Sequence, residues 1–445
     1  MRSRSGSLVL VALAVLWVAG VAHSLRYRDL AWLRVVFVDV TWLQGLVLAV
    51  GGFGALMVLV GALSPRLRRP APPDRLPFVS IVVPAKNEEA VIEGTVRSLC
   101  ALDYAEGGRR RFEVIVVDDQ STDRTGVLLD RLAAELPVRV VRTPPGSVGK
   151  AAALNFGIAR ARGEVVAVFD ADARVRPDFL RTMVALLDDP RVGGVQAQRQ
   201  LYNAGQNLLT RVQDDEYRLF YHPLQRARRW LGGMVSFSGN GLLVRRDVLD
   251  EVGGWREEAL TEDIDLTIRL HLAGWEIRYC EEAVVWEEAP PHLRDLLRQR
   301  VRWFEGALRC LGEHLPAILF GRMSLFKKLD MVVFLSGGLL VTLSLLTSYL
   351  YAALDAAGAV VLYLQLPRPL TTAASAALTV AVLTALGLQL QGRVWALMPV
   401  VVRSGIFSLH RLLVVPLAVH RFVRSAVTGH TTWEKTAHGL SLPRR

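Results

Sequence analysis

The sequence predicts an α/β domain with a Rossmann-like, mostly parallel and doubly wound sheet, flanked by hydrophobic helices. Hydrophobic residues make up 51% of the 445 residues and charged residues 21%, yet the two kinds are segregated. Long apolar runs stand near both ends, and the charges fill the stretch between about Arg66 and Lys328. Within that stretch, β-branched runs alternate with helical patterns, which is typical of a parallel sheet covered on both faces.

Two apolar runs open the chain. Leu8–Ala22 is uninterrupted over 15 residues, a length that also fits the core of a signal peptide. We expect a retained helix instead, because no small-x-small cleavage site follows it. Val40–Leu63 has 24 residues, enough to cross a hydrocarbon core of about 30 Å. These runs predict a membrane region of two helices over residues 1–65.

A basic, proline-rich linker is predicted over residues 66–77. By the positive-inside bias its arginines favour a cytosolic position for the domain at 78–290; they are Arg66, Arg68, Arg69 and Arg75. Three arginines between the two apolar runs act against this bias, namely Arg26, Arg28 and Arg34.

Beyond the domain we expect amphipathic interfacial helices over 291–327, a second membrane region over 328–425 and a cytosolic tail over 426–445. The apolar stretches are Leu329–Leu354, roughly Leu370–Leu390, and a broken stretch, Val394–Val423, which allows two to four spans. Part of the last stretch is expected in the interface, because it carries Arg403, His410, Arg411 and His420. The prediction is a multi-pass protein of the cell (inner) membrane.

The net charge of +11, from 53 basic and 42 acidic residues, does not indicate a nucleic-acid partner. No basic cluster is joined to aromatic residues as in a known nucleic-acid module, and arginines beside apolar runs fit anionic headgroups better. The three cysteines are too few and too scattered for a disulfide framework or a zinc site; they are Cys100, Cys280 and Cys310. This favours a reduced, cytosolic setting.

Four strands are predicted in the domain: Val79–Val83, Phe112–Val117, Val138–Arg142 and Glu164–Phe169. Helices are expected up to about Leu102, from about Asp123 to Leu136, and from Lys150 to Ala161. Ligands of doubly wound sheets bind beyond the carboxyl ends of the strands. The polar clusters of this sequence stand at those ends.

The first two clusters are Pro84–Glu89 and Asp118–Asp123. The second also suits a helix start, with Ser121 or Thr122 as the N-cap. A cap does not explain the adjacent carboxylates of Asp118 and Asp119, whose repulsion needs a partner. A uracil, a ribose or a nearby metal would supply one, so we predict that these two residues bind a ligand.

The third cluster, Gly146–Asn155, resembles a phosphate-binding P-loop without matching it. Pro144 stands at the first glycine position of that motif and Ala151 follows the lysine, so a kinase or an ATPase is not predicted. Lys150 at a helix start can still meet a diphosphate; a solvated surface lysine is the equal alternative.

The fourth cluster holds Asp170 and Asp172, at the end of the fourth strand. Carboxylates at i and i+2 of a strand point the same way and can chelate one hard cation. Mg²⁺ or Mn²⁺ would there bridge diphosphate oxygens and neutralise a leaving group.

The fifth cluster opens a helix that runs to Ala273 and is closed by Gly274, with Thr261 as its cap. The acidic residues behind the cap exceed what one helix start needs: Glu262, Asp263 and Asp265. A carboxylate there is predicted to take the proton of an attacking hydroxyl.

The sixth cluster places Gln299, Arg302 and Trp303 on one face of a helix. Arg302 can pair with phosphate and Trp303 can stack on a sugar. An interfacial helix, with arginines at headgroups and tryptophan in the aromatic belt, is a compatible alternative.

Taken in order, these clusters resemble the family 2 inverting glycosyltransferases of the A-type fold, over about Val79 to Leu311. Every block of that family's Asp, Asp-x-Asp, Thr-Glu-Asp and Gln-x-x-Arg-Trp series is present. The resemblance implies a nucleotide-diphosphate sugar donor, UDP-glucose or UDP-N-acetylglucosamine. It further implies Glu88, Asp118 and Asp119 at the nucleoside, Lys150 and Arg302 at the diphosphate, Asp170 and Asp172 at the metal, Asp263 beside Glu262 as the base, and Gln299 and Trp303 closing the pocket.

The acceptor stays open between a membrane lipid and a growing polysaccharide. The blocks are similar to those of monoglucosyldiacylglycerol synthases, which glucosylate a lipid, and of polymer-making members such as poly-N-acetylglucosamine synthases. The tail Thr432–Gly439 is also similar to the latter. Ser238–Arg246 looks like the acceptor-side block and departs from the cysteine-containing form of cellulose synthases.

Two other functions are considered. An inactive membrane scaffold of a polysaccharide secretion complex would lack a catalytic block, and none is missing. A nucleotidyltransferase shares the sheet and the paired aspartates but does not account for the Thr-Glu-Asp and Gln-x-x-Arg-Trp blocks.

Overall fold

The computed structural model describes residues 25–30, 33–39, 41–65, 73, 75–147, 149–356, 360–391, 394–428 and 439. Its strands are β1 Leu25–Leu30, β2 Leu33–Asp39, β3 Val79–Ala85, β4 Ala105–Glu106, β5 Arg109–Arg110, β6 Phe112–Asp118, β7 Val138–Arg142, β8 Val165–Val168, β9 Arg174–Val175, β10 Val192–Leu201, β11 Leu242–Arg245, β12 Glu276–Glu287 and β13 Val360–Leu364. Its α-helices are α1 Thr41–Leu63, α2 Ile92–Cys100, α3 Thr125–Glu135, α4 Lys150–Ile158, α5 Phe179–Val184, α6 Leu208–Glu216, α7 His222–Leu231, α8 Arg246–Glu251, α9 Glu262–Leu272, α10 Leu293–Phe320, α11 Leu325–Ala356, α12 Arg368–Gln389, α13 Leu397–Ser408 and α14 Arg411–Thr428.

An eight-stranded sheet with the order β7-β6-β3-β8-β11-β10-β12-β9 forms the centre of the domain. The four predicted strands are present as β3, β6, β7 and β8 and run parallel to one another. Strand β12 is parallel to β10, while β11 runs antiparallel to both β8 and β10. The prediction of a mostly parallel sheet is confirmed.

The sheet buries both faces because its central strands are apolar at consecutive positions. On β3, Ile81 and Val83 enter one core, together with the inner faces of α2 and α3. Val82, between them, enters the other core, with α4, α8 and α9. Alternate side chains of a strand point to opposite faces, so an unbroken apolar run indicates helices on both sides. The result is a three-layer α/β/α domain.

The carboxyl ends of β3, β6 and β8 meet at one edge of the sheet. The chain moves from β3 outward to β6 and β7 and then returns to β8 on the other side of β3. This reversal of strand order opens a crevice at the sheet edge, where ligands of such folds bind.

Among the described residues, three helical segments are long and apolar enough to cross a membrane: Thr41–Leu63, Arg368–Gln389 and Leu397–Ser425, the last of which comprises α13 and most of α14. The first confirms the second apolar run. The run Leu8–Ala22, most of the basic linker and the tail motif up to residue 438 lie outside the described residues. A small sheet of β1, β2 and β13 was not predicted from the sequence.

Candidate active site

A cleft at the carboxyl ends of β3, β6 and β8 brings together nearly all of the predicted site residues. Those that line it are Glu88, Asp119, Lys150, Asp170, Asp172, Glu262, Asp263, Gln299, Arg302 and Trp303. They come from six separate blocks spread over more than 200 residues of sequence. Asp118 is the predicted site residue that does not line the cleft.

The paired aspartates at the end of β6 have different surroundings. Asp119 lines the cleft, where its Oδ1 accepts a hydrogen bond from Thr143 Oγ1 at 2.9 Å and its Oδ2 lies 3.3 Å from Lys86 Nζ. Asp118 lies behind it, accepts from the backbone N–H of Ser121 at 3.1 Å and lies 3.6 Å from Arg142 Nε. The repulsion predicted between them is therefore compensated by protein groups, without a ligand.

The turn after β6 is stabilised by the turn after β3, and neither predicted N-cap is correct. The Asn87 N–H donates to Ser121 Oγ at 3.0 Å, and the Thr122 N–H donates to Asn87 Oδ1 at 2.7 Å. Because both residues are committed to this contact, helix α3 begins only at Thr125, with Arg124 at the N-cap position. The two loops of the cleft thus stabilise each other.

Lys150 is the positive centre of the cleft. Its Nζ donates to Asp170 Oδ1 at 2.5 Å and to the Gly239 carbonyl at 2.9 Å, and lies 3.4 Å from Glu262 Oε1. Burial lowers the pKa of Lys150, but Asp170 and Glu262 raise it by more, so the pKa lies above its ordinary value. The alternative of a solvated surface lysine is wrong, since 19% of the side chain is exposed.

Asp170 and Asp172 reach the cleft by a route that the sequence did not indicate. Strand β8 ends at Val168, so both residues lie in the following turn and the alternation of a strand does not apply to them. The Asp170 N–H donates to Asn240 Oδ1 at 3.1 Å, and Asp172 Oδ2 accepts from the Glu288 N–H at 2.7 Å. The turn still presents both carboxylates to the cleft.

The charge of the cleft fits a bound cation. Eight carboxylic residues line it: Glu88, Asp119, Asp170, Asp172, Glu262, Asp263, Glu287 and Glu288. The basic residues that line it are four: Lys86, Lys150, Arg199 and Arg302. Carboxylate oxygens are the ligands that Mg²⁺ and Mn²⁺ prefer, so the donor set is chemically suitable for either ion.

Asp263, a residue of the fifth cluster, lies in the first turn of α9. Burial and the neighbouring Glu262 raise the pKa of Asp263 to about 6, against the opposing charge of Lys150. A carboxylate with such a pKa is ionised near neutral pH and is basic enough to accept a proton. The other acidic residue of the block, Asp265, faces away from the cleft and is paired with Arg256 at 3.0 Å and Arg269 at 2.7 Å.

Part of the excess negative charge predicted at this helix start, that of Asp265, therefore forms ion pairs that stabilise the fold. Asp265, Glu313 and His314 offer ligand atoms close enough together to hold a metal ion. However, Arg256 bridges Asp265 and Glu313, at 3.0 Å and 2.8 Å, and so already supplies the positive charge. Thr261 occupies the N-cap position as predicted, but its hydroxyl makes no capping bond and lies 3.8 Å from Cys310 Sγ instead.

Helix α10 closes the cleft, with Gln299, Arg302 and Trp303 on one face as predicted. The helix approaches α9 closely because Gly306 has no side chain. A Cβ on Gly306 would lie 2.3 Å from Thr261 Cγ2, which no real contact tolerates. This glycine therefore allows Trp303 to sit in the same cleft as Asp263.

The sequence did not single out a buried ion pair in the wall of the cleft. Arg199 on β10 and Glu287 at the end of β12 share two hydrogen bonds through Arg199 Nε, at 3.0 and 3.1 Å, and a third through Nη2. Arg199 Nη2 also donates to Tyr217 Oη at 2.6 Å, and Asn240 Nδ2 donates to Glu287 Oε2 at 3.0 Å. Glu287 and Glu288 are adjacent acids at a strand end, the same signal that pointed to Asp118 and Asp119.

A second cavity, of about 720 Å³, adjoins the cleft. The two share the wall formed by Arg199, Ser238, Thr261, Asp263 and Trp303. Elsewhere the lining is mostly apolar and comes from the hydrophobic helices: Gly51, Gly54, Ala55, Val58, Phe334, Leu335, Gly338, Val382, Val414 and Val415. Asp263 therefore faces a polar cleft on one side and an apolar cavity on the other.

Comparison with known proteins places these features in a family. A family model described as "Glycosyltransferase like family 2" matches residues 75–306. A beta-monoglucosyldiacylglycerol synthase of Nostoc sp. is 42% identical over 262 residues, covering 58% of this chain and 55% of the relative. A poly-beta-1,6-N-acetyl-D-glucosamine synthase of Staphylococcus aureus is 31% identical over 234 residues, covering 52% of this chain and 55% of the relative. The match thus spans about half the length of these curated relatives.

One solved structure has a similar fold over most of the chain. It is a mannosyltransferase from Pyrobaculum calidifontis in complex with GDP-Man and Mn²⁺. The two share 25% sequence identity at a TM-score of 0.57, with coverage of 81% of this chain and 98% of that one.

Proposed function

The chain belongs to the glycosyltransferase family 2 group, and on that premise we propose that it transfers one sugar, with inversion, from a nucleotide-diphosphate sugar to the hydroxyl group of a membrane lipid. The observation that carries the proposal is the position of Asp263, between a charged cleft that suits the donor and an apolar cavity that suits a lipid. The chain is proposed to lie in the cell membrane, with its α/β domain on the cytosolic side.

The donor is assigned to the charged cleft. Glu88 and Asp119, in the loops that follow β3 and β6, line the cleft and are assigned to the nucleoside. Lys150 and Arg302 are assigned to the diphosphate, because both are cationic and both line the cleft. The names of the relatives favour glucose or N-acetylglucosamine as the transferred sugar, and the resemblance of the sequence blocks implies UDP as the nucleotide.

A divalent ion, Mg²⁺ or Mn²⁺, is assigned to Asp170 and Asp172. When bound, it supplies positive charge that stabilises the leaving diphosphate. Lys150 holds Asp170 in place through its 2.5 Å contact, and the Glu288 N–H orients Asp172. Gln299 and Trp303 on α10 cover the cleft and limit access of water to the donor.

Asp263 is assigned as the general base, with Glu262 beside it keeping its pKa high. The carboxylate removes the proton of the acceptor hydroxyl as that oxygen attacks the anomeric carbon from the face opposite the diphosphate. The bond between the anomeric carbon and the diphosphate breaks with its electron pair on the diphosphate. One such displacement inverts the configuration, and the word "beta" in the names of the relatives agrees with a product formed from an α-linked donor.

The apolar cavity favours a lipid acceptor over a growing polysaccharide. Tyrosine, serine and charged side chains also line this cavity, among them Tyr217, Tyr221 and Ser404, but the wall contributed by α1 and α11 consists of glycine, alanine, valine, leucine and phenylalanine, which suit acyl chains better than sugar hydroxyls. Its volume of about 720 Å³ is that of a site for one small ligand rather than of a conduit. Burial of acyl carbons against these side chains stabilises binding by about 0.8 kcal/mol for each CH₂ group.

The test is to supply radiolabelled UDP-glucose and UDP-N-acetylglucosamine separately to membranes that contain the protein. We expect label in the solvent-extractable lipid fraction as a single product carrying one sugar, in β configuration by NMR. Insoluble or size-laddered product would show a polymerase and overturn the lipid assignment. Membranes prepared without the protein are the control, and equal labelling in them would assign the product to another enzyme.

A further inference from the structure

The third candidate span, residues 397–425, has unusual contacts for a membrane-crossing segment. The first two candidate spans, α1 and α12, show which ends of the hydrophobic helices lie at the α/β domain and which lie away from it. The Leu366 N–H donates to Gln44 Oε1 at 2.8 Å, so the N-terminal ends of α1 and α12 lie side by side. At the other ends, Gly61 packs on Pro223, and Gln389 Nε2 donates to the Leu219 carbonyl at 3.1 Å. Helices α1 and α12 therefore both reach the α/β domain at their C-terminal ends.

Residues 397–428, by contrast, contact the domain side along their whole length. Near the start, Arg403 Nη2 lies 2.7 Å from Asp215 Oδ2. In the middle, Arg411 Nη2 lies 3.8 Å from Glu216 Oε1. Near the end, Arg421 Nε lies 3.3 Å from Glu305 Oε2. A helix that crossed a bilayer would take Arg421 about 27 Å from Arg403 along the axis, out of reach of the domain.

The partners of these arginines belong to elements that stay on the domain. Helix α6, with Asp215 and Glu216, is held to the end of the sheet because Gln213 Nε2 donates to the Pro290 carbonyl at 3.0 Å. Helix α10, with Glu305, is held to α9 because His314 Nε2 lies 2.8 Å from Asp265 Oδ1.

Helix α14 runs parallel to α10. Arg300 pairs with Glu216, the partner of Arg411, and further along Arg309 Nη2 donates to Ser425 Oγ at 2.5 Å. Between these contacts Val301 packs with Val414 and Ala418 in one small core. Because α14 is parallel to α10 over this distance, the two helices lie at the same depth relative to the bilayer.

The opposite face of the segment is apolar and exposed. Its large apolar side chains recur every three or four residues, from Trp395, Met398, Val402 and Ile406 to Leu409, Leu413 and Leu417. Each is at least half exposed, and the inward face holds the paired arginines. A helix with an apolar stripe on one side and basic residues on the other is typical of the membrane interface.

We propose that residues 394–428 do not cross the membrane. They lie on the bilayer surface on the same side as the α/β domain, with the apolar stripe seated in that leaflet and the arginines turned toward the domain. The partner of the exposed face is thus the lipid leaflet itself. The proposal rests on the membrane location given under the proposed function. It also explains why Phe407 and Val414 line the acceptor cavity, which they wall off at the level of the leaflet.

Gly439 supports this position of the segment. Its backbone N–H donates to Glu288 in the cleft, and a Cβ on it would touch Ala90. The chain therefore arrives at the domain 11 residues after α14 ends at Thr428. A span ending at Thr428 on the far side would have to cross the bilayer again within those residues, fewer than the roughly 20 that a helical span requires.

The experiment is cysteine labelling of the full-length protein in sealed vesicles of known orientation, with a membrane-impermeant maleimide. Two variants bracket the segment, Gln391→Cys and Thr428→Cys. Val127→Cys on α3 marks the domain side, and Arg368→Cys, at the start of α12, marks the far side. The background carries Cys100→Ser; Cys280 and Cys310 remain, since both are buried and burial raises the pKa of each thiol.

We expect Gln391→Cys and Thr428→Cys to be labelled in the vesicle orientation that exposes Val127→Cys. Neither should be labelled in the orientation that exposes Arg368→Cys. If one of these two cysteines were labelled in the orientation of Val127→Cys and the other in the orientation of Arg368→Cys, the segment between them would cross the membrane and the proposal would be overturned. Sugar transfer is measured on the same vesicles. Absence of transfer by the wild-type chain would count against the proposed function and leave the labelling result interpretable.

Discussion

Asp263 provides the sharpest test of the proposed chemistry, because its removal should affect activity and stability in opposite directions. Asp263→Asn keeps the shape of the side chain and removes its ability to accept a proton. Loss of a general base typically costs about 10²- to 10⁴-fold in rate, which is about 3 to 5 kcal/mol in activation free energy. Initial rates of lipid-linked label from radiolabelled donor, at saturating donor, measure this loss.

The pH profile of the wild-type enzyme reports the same group. With a pKa of about 6, Asp263 is about nine-tenths ionised at pH 7 and about one-tenth ionised at pH 5. Activity should therefore fall about tenfold between those values. Glu262 raises this pKa, so Glu262→Gln should move the acidic limb of the profile to lower pH.

Asp263→Asn should raise the stability of the protein, although it lowers the activity. The pKa rises from 3.8 to about 6 on folding, so the folded state prefers the protonated carboxyl and ionisation costs folding free energy. The cost is absent below pH 4, grows as the pH rises to 6, and reaches at most about 3 kcal/mol at pH 7. Asp263→Asn avoids this cost, so its Tm should exceed that of the wild type at pH 7.5 and match it near pH 4.

A matched control lies two residues along the same helix. Asp265→Asn breaks the pairs with Arg256 and Arg269, so it should lower the Tm while the pH profile of the remaining activity stays unchanged. The assignment of Asp263 as the base would be refuted if Asp263→Asn kept full turnover, or if the acidic limb near pH 6 persisted in that variant.

Three further outcomes are expected. Activity of the purified protein should be abolished by EDTA and restored by Mn²⁺ or Mg²⁺, and Asp172→Asn should raise the concentration of metal needed for half-maximal rate; metal-independent turnover would contradict the assignment. Gly54→Leu should raise the KM for the lipid acceptor and leave the KM for the donor unchanged, since a Cβ at Gly54 meets no atom within 4 Å and the residue lines the apolar cavity; an equal effect on both KM values would count against that cavity as the acceptor site. Glu287→Gln should lower the free energy of unfolding by about 3 to 5 kcal/mol, because it leaves Arg199 buried without its countercharge, whereas Glu135→Gln in the solvent-exposed pair with Arg97 should leave the Tm nearly unchanged; thermal melts compare the two.

Much of the site was readable from the sequence because its residues stand where strands end. Asp119, Lys150, Asp170 and Asp263 each follow an apolar run or open a helix. Parallel strands place their carboxyl ends at one edge, so recognising the strands is nearly enough to bring these side chains together. The prediction for Gln299, Arg302 and Trp303 held for a similar reason, since helical spacing alone puts them on one face.

Other features depended on contacts between distant parts of the chain. The sequence could not separate the roles of Asp118 and Asp119, because that depends on Arg142 and Lys86 lying on different sides of the pair. The pairing of Arg199 with Glu287 required β10 and β12 to be neighbours, although 74 residues separate the end of one from the start of the other. The capping roles predicted for Ser121 and Thr122 were displaced by Asn87, a residue of another loop.

By itself, then, the sequence determined the α/β domain, the hydrophobic helices and the acidic residues of the cleft. These follow from the periodicity of apolar residues and from charges at the ends of elements, which are local properties of the chain. The tertiary structure alone decided that Asp265 is structural, that an apolar cavity adjoins Asp263, and that residues 397–428 pair with the domain along their length. Each of these depends on which distant side chains share a buried space, where the cost of an unpaired charge selects the partner.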